Sequence, residues 1–212
     1  MNLPILFILT PLSAFSIIVS LLAFSLLRYD PPTRFGPANR VTLIRASLVA
    51  LLVGFVVDVP FSAKGIWLTV LIAVSVVLLD GVDGWLARRS NTVSDFGARF
   101  DMETDALLIA VLALLVWRLD KTGVWILLAG TLRYLFVAAG YFLPWLSGNL
   151  PYSRRRQSVC VLQTLALIGC LVPLISAQWA TAIALTSVIL LTGSFAIDTL
   201  WLARHSHSVK ED

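Results

Sequence analysis

Asp80-Gly-Val-Asp83-Gly-Trp-Leu-Ala-Arg88, followed after eight residues by Gly97-Ala-Arg-Phe-Asp101-Met-Glu-Thr-Asp105, stands between two strongly apolar runs. At 3.6 residues per turn, Asp80, Asp83, Gly84 and Ala87 fall on one helix face. Asp101 and Asp105 are four apart and share a face, with Gly97 one turn earlier. The spacing predicts two helices joined by a short turn near Ser90–Ser94, which points four carboxylates at one place. Asp95 is placed to N-cap the second helix. Glu103 is expected to face away from the carboxylate face.

Outward from this stretch the chain is apolar. Hydrophobic residues make up 58% of the 212, charged residues 13%, and mean hydropathy is +0.90. A water-soluble surface needs roughly a quarter of its residues charged, so lipid must solvate much of this one. The net charge of +4 and the pI of about 9.4 reflect Lys and Arg at membrane boundaries. No basic stripe interleaved with aromatics points to nucleic acid. Cys160 and Cys170 fall in one apolar run, about 15 Å apart if helical, too far for a disulfide.

Spans of roughly 20 apolar residues are expected at Leu3–Leu27, Val41–Val59, Gly65–Asp80, Asp105–Trp117, Gly123–Leu146, Ser158–Ile175 and Trp179–Leu202. The third and fourth are short unless they extend through the Asp-rich stretch. The first lacks a basic flank and reads as a span rather than a signal peptide. The expected fold class is therefore an all-α integral membrane protein, a bundle of about seven transmembrane helices. Its parts are an extra N-terminal span over 1–28, a membrane domain over 29–204 and a polar tail over 205–212, in which His205 and His207 are expected to be disordered. With the N-terminus outside, 12 basic residues lie on the cytoplasmic side (Arg28, Arg34, Arg40, Arg45, Arg88, Arg89, Arg99, Arg154, Arg155, Arg156, Arg204 and Lys210) against 3 outside (Lys64, Arg118 and Lys121). That bias places the Asp-rich stretch on the cytoplasmic side, and the expected location is a multi-pass position in a bacterial inner membrane.

Four carboxylates at short range cannot all ionise without compensation. Hard divalent cations, Mg²⁺ or Mn²⁺, prefer such oxygen ligands, and a pair of them can clamp a diphosphate and stabilise a leaving oxyanion. Gly81, Gly84, Ala87 and Gly97 remove bulk beside the carboxylates, and Arg88 offers a fork for phosphate. A solvated loop would explain the polarity, but not the i, i+3 and i, i+4 spacing beside apolar helices. Ionisable residues at span depth are functional candidates.

These residues resemble the signature of the CDP-alcohol phosphatidyltransferase family, D-x2-D-G-x2-A-R-x8-G-x3-D-x3-D. Asp80, Asp83, Gly84, Ala87, Arg88, Gly97, Asp101 and Asp105 match every fixed position. Upstream, Asn39-Arg-Val-Thr42-Leu-Ile-Arg45 is similar to the family's N-x2-T-x2-R opening of a conserved helix. The resemblance implies Asp80, Asp83, Asp101 and Asp105 as ligands of two Mg²⁺ or Mn²⁺ ions, with Asp105 also the general base. It implies a CDP-binding surface of Asp83, Gly84, Ala87, Arg88 and Gly97 with Asn39 and Thr42. The implied reaction is attack of an alcohol hydroxyl on the lipid-side phosphorus of CDP-diacylglycerol, releasing CMP. A homodimer is implied as well. The N-terminal span is an addition to the family's usual six.

The acceptor is a small alcohol or a phosphorylated one such as glycerol 3-phosphate. Arg154, Arg155 and Arg156, in an expected cytoplasmic loop, and Arg133, inside a span, have the chemistry to bind its phosphate. The triple Arg equally suits lipid headgroups. Phosphatidylglycerophosphate synthases usually carry a G-K-x-K-T-type segment near here, where this chain has Ser153-Arg-Arg-Arg-Gln-Ser158. Tyr134, Tyr152 and Gln163 are weaker acceptor contacts. The alternatives are an amino-alcohol transferase that uses CDP-choline or CDP-ethanolamine with diacylglycerol, and a transporter or scaffold with a cation site.

Overall fold

The computed structural model describes residues 9, 12, 13, 16, 37–57, 62–90, 95–148, 150, 151 and 153–205, without the side chains of 37, 38, 57, 83, 85–90, 95, 96, 144 and 147. Among the described residues there are six long α-helices and no strand: α1 Pro37–Val57, α2 Ala63–Ser90, α3 Asp95–Arg118, α4 Leu127–Phe142, α5 Arg154–Leu171 and α6 Ala177–His205. The expected Leu3–Leu27 span and residues 206–212 lie outside the described residues, apart from helical positions 9, 12, 13 and 16 in the former. The chain is an all-helical integral membrane protein. It divides into two compact units, Met1–Val111 and Leu112–Asp212.

In the first unit, α1 opens on Pro37, whose fixed φ and missing N–H suit a first turn. It packs against α2 through a core that includes Ala46, Val49, Leu52, Val70, Ala73 and Val76. The Ser62 hydroxyl accepts a hydrogen bond from the Gly65 amide at 3.2 Å, capping α2. The apolar part of α2, Ala63–Val82, has 20 residues. At 1.5 Å per residue it covers about 30 Å, the hydrocarbon thickness. Asp80 therefore sits in the last turn of the apolar segment and Asp83 just past it. Helix α2 runs on without a break to Ser90 and α3 begins at Asp95, so both short spans extend through the Asp-rich stretch.

Helix α3 ends in a Schellman turn. The Lys121 amide bonds the Val116 carbonyl at 3.2 Å and the Asp120 amide bonds the Trp117 carbonyl at 3.0 Å. Asp120 takes the left-handed conformation, φ 52°, where glycine is the usual occupant. In the second unit, α5 packs on α6. Ala180, Ala184, Ser187, Leu191, Ser194, Asp198 and Leu202 form a buried stripe along α6 at helical spacing. The Lys121 ammonium donates to the Val172 and Ile175 carbonyls after the end of α5, where a cation favours both the free carbonyls and the helix dipole.

Three sequence expectations are corrected. The Gly123–Leu146 run is broken into a 3-10 turn (Val124–Ile126), α4 and a second 3-10 turn (Pro144–Ser147). Pro144 pushes Leu143 to an extended conformation, φ −123°, ψ 87°, which ends the helix. Arg154, Arg155 and Arg156 form the first turn of α5 instead of a loop. Positive charge at a helix N-terminus opposes the dipole, and ion pairing described below offsets that cost for Arg155. His205 closes α6 with its ring stacked on Trp201, centroids 4.1 Å apart, so the helix enters what was expected to be the tail. Among the described residues, four segments are long and apolar enough to cross a membrane: Asn39–Val56, Ala63–Val82, Val124–Phe142 and Ala177–His205. Helices α3 and α5 fall short on composition, since the acidic residues of α3 and the three arginines of α5 interrupt their apolar runs.

Candidate active site

The first unit gathers its charges at the α1, α2 and α3 residues that the sequence motifs contain. Asp80 lies on α2, Asp101 and Asp105 on α3, and one carboxylate oxygen from each falls within 4.8 Å of the others. These side chains are half-buried, 35%, 40% and 32% exposed. Asp83 lies on α2 three residues beyond Asp80, one turn along the same face. The side chains of Asp83, Ala87 and Arg88 are outside the described residues, as is that of Asp95. Glu103 is exposed, on a different side of α3 from the half-buried carboxylates.

The group at the centre of the three carboxylates is Arg45 of α1. Its Nη2 lies 2.7 Å from Asp80 Oδ1 and 2.5 Å from Asp105 Oδ1, and its Nη1 pairs with Asp101 Oδ1. The residue is fully buried. Asn39, Thr42 and Arg45 are all buried, as their three-residue spacing on one face of α1 requires. The charge bias places Arg45 at a cytoplasmic helix end without assigning it a partner. Its spacing from Asn39 and Thr42 was the signal that it faces inward.

Among the described residues, three carboxylates converge on one guanidinium. The donor set is hard oxygen throughout. The three oxygens lie within 4.8 Å of one another, so with side-chain adjustment they fit around one divalent cation, whose bonds to oxygen are about 2.1 Å for Mg²⁺. Gly84 and Gly97 are half-buried. A Cβ built on Gly81 would meet nothing within 4 Å, so that side of α2 is open for a ligand to approach.

A sequence-family profile described as CDP-alcohol phosphatidyltransferase matches residues 35–193. The chain belongs to the CDP-alcohol phosphatidyltransferase family. No curated protein and no solved structure matches it. Membership makes it a membrane transferase that moves a phosphatidyl group from a CDP-alcohol to an alcohol acceptor. The matched segment contains Arg45 and all four aspartates of the signature.

The residues assigned to the acceptor lie in the second unit. Arg155 donates from Nη1 to the Ser194 carbonyl at 2.8 Å and to the Ser194 hydroxyl at 2.7 Å, and from Nη2 to Asp198 at 2.5 Å. Arg156 donates to the Pro151 carbonyl. Arg154 is exposed, and Arg133 is half-buried on α4. Tyr134 is exposed, and Tyr152 lies outside the described residues. Gln163 is 1% exposed on α5, and neither amide atom has a partner among the described residues. Asp198, a carboxylate inside a long apolar helix, escaped the sequence reading, although its depth in the span marks it as a candidate.

Proposed function

We propose that this family member uses CDP-diacylglycerol as donor and transfers its phosphatidyl group to a small polar alcohol, with CMP as the leaving product. The observation that carries the reading is the convergence of Asp80, Asp101 and Asp105 within 4.8 Å, at the end of an apolar segment long enough to cross the membrane. A lipid donor and a water-soluble acceptor both reach that depth. Two Mg²⁺ or Mn²⁺ ions, when bound, supply charge neutralisation for the donor diphosphate. Asp80, Asp83, Asp101 and Asp105 would hold them. Asp105 accepts the proton of the attacking hydroxyl. Gly84, Ala87, Arg88 and Gly97, with Asn39 and Thr42, form the surface for the CDP moiety.

The acceptor reading rests on cations. Arg133, Arg154, Arg155 and Arg156 give the second unit the chemistry to take a phosphorylated alcohol such as glycerol 3-phosphate. In this reading Asp198 and Ser194 fix the direction of the Arg155 fork. The basic-residue bias supports a site on the cytoplasmic side, the membrane in this reading is a bacterial inner membrane, and the family resemblance supports a homodimer.

The test is a panel assay of the purified chain in detergent, with CDP-diacylglycerol, Mg²⁺ or Mn²⁺, and one alcohol at a time: glycerol 3-phosphate, inositol, inositol phosphate, serine or choline. CMP release with one acceptor alone identifies the product. Release only from CDP-choline or CDP-ethanolamine with diacylglycerol would overturn the proposed donor.

A further inference from the structure

Arg45 combines three properties that differ from those of a surface charge. It is fully buried, it reaches oxygens on two other helices, and it is outnumbered by the carboxylates it touches. A guanidinium held among three carboxylates has the partners expected of a bound cation. An arginine is always charged, and its planar fork can bridge several carboxylates at once. Without a cation there, like charges on α2 and α3 would repel one another and the cluster would open.

We propose that Arg45 is the built-in counter-cation of the carboxylate cluster: it holds Asp80, Asp101 and Asp105 together in the metal-free protein and competes with divalent cations for their oxygens. The competition follows from shared atoms. The Oδ1 oxygens of all three residues already accept from Arg45, and an oxygen pointed at a guanidinium is a poorer metal ligand. Metal binding through those Oδ1 oxygens therefore requires the Arg45 fork to withdraw or to loosen its hold on at least one carboxylate. Arg45 acts as a positioning residue. It keeps the ligands gathered before loading, and it weakens metal affinity so that ions exchange readily. The inference rests on the reading of the cluster as a metal site.

The test is Mn²⁺ titration of the purified, metal-stripped chain in detergent with no nucleotide or lipid donor, following free Mn²⁺ by electron paramagnetic resonance. The unaltered chain is compared with Arg45→Gln and Arg45→Lys. A neighbouring charge shifts ionic equilibria at this range by about tenfold or more, so Arg45→Gln should bind Mn²⁺ at least ~10-fold more tightly. Its thermal midpoint should fall in chelator and recover with Mn²⁺ by more than that of the unaltered chain, as binding to the folded state requires. Arg45→Lys keeps a charge but loses the fork, and should bind several-fold more tightly. If Arg45→Gln fails to fold, the lysine variant decides alone. Affinity equal to or weaker than that of the unaltered chain would overturn the inference and leave the metal site standing. No saturable Mn²⁺ binding by any folded form would overturn both.

Discussion

Two arginines, one in each unit, are held by carboxylates from other helices, and their surroundings differ. Arg45 faces three aspartates. Among the described residues Arg155 pairs with one carboxylate, Asp198, and also donates to the Ser194 carbonyl and hydroxyl. The second arrangement sets one charge against one and ties the start of α5 to α6, with guanidinium donors left over for a ligand. The first, among the described residues, sets three half-exposed carboxylates against one cation, a donor set that could hold a metal ion. Charge balance distinguishes a clamp from a cation site more sharply than burial does.

The largest expected effect comes from breaking the unbalanced cluster. Asp101→Asn removes one of the proposed ligands and should lower CMP release by about 10³-fold, the scale seen when charge stabilisation of a transition state is removed. The folded fraction, measured by size-exclusion profile and thermal midpoint, should hardly change, because the substitution relieves repulsion. Chelation should abolish CMP release in the unaltered chain, with recovery on adding Mg²⁺ or Mn²⁺.

Breaking the balanced pair should do the reverse. Asp198→Asn leaves the Arg155 fork without its counter-charge and should destabilise the chain by about 1–3 kcal/mol, the usual range for stranding a buried polar partner. Thermal unfolding reads that loss. Mn²⁺ affinity, read by the same titration, should stay within twofold. If Asp198→Asn weakened metal binding tenfold while the chain stayed folded, the division of roles between the two arginines would be wrong. The smallest effect is expected at Glu103, which shares α3 with Asp101 and Asp105 but is exposed. Glu103→Gln should keep CMP release within about twofold, as surface substitutions usually do.

Much of the fold was legible because apolar runs near 20 residues have few alternatives in lipid. The convergence of α2 and α3 was legible for a related reason. The three- and four-residue spacing of the aspartates survives only if both helices continue through the polar stretch, and they do. Contacts between distant helices left weaker traces. Arg45 lies 35 residues before Asp80, and nothing in the one-dimensional pattern separates a buried cation from a boundary charge except its spacing from Asn39 and Thr42. Asp198 pairs with Arg155 across 43 positions, and one carboxylate in a long apolar helix names no partner by itself. The break at Pro144 was visible as a residue, but the apolar character of the surrounding run hid it.

The account stands on the cluster of Asp80, Asp101 and Asp105 as the place where a CDP-linked donor is cleaved. The most direct measurement is CMP release from CDP-diacylglycerol by the purified chain, with its acceptor and Mn²⁺, compared between the unaltered protein and Asp105→Asn at matched folded concentration. The account predicts metal-dependent release by the former and a loss of about 10³-fold or more in the latter. Equal rates in the two proteins, or release that persists in chelator, would contradict it.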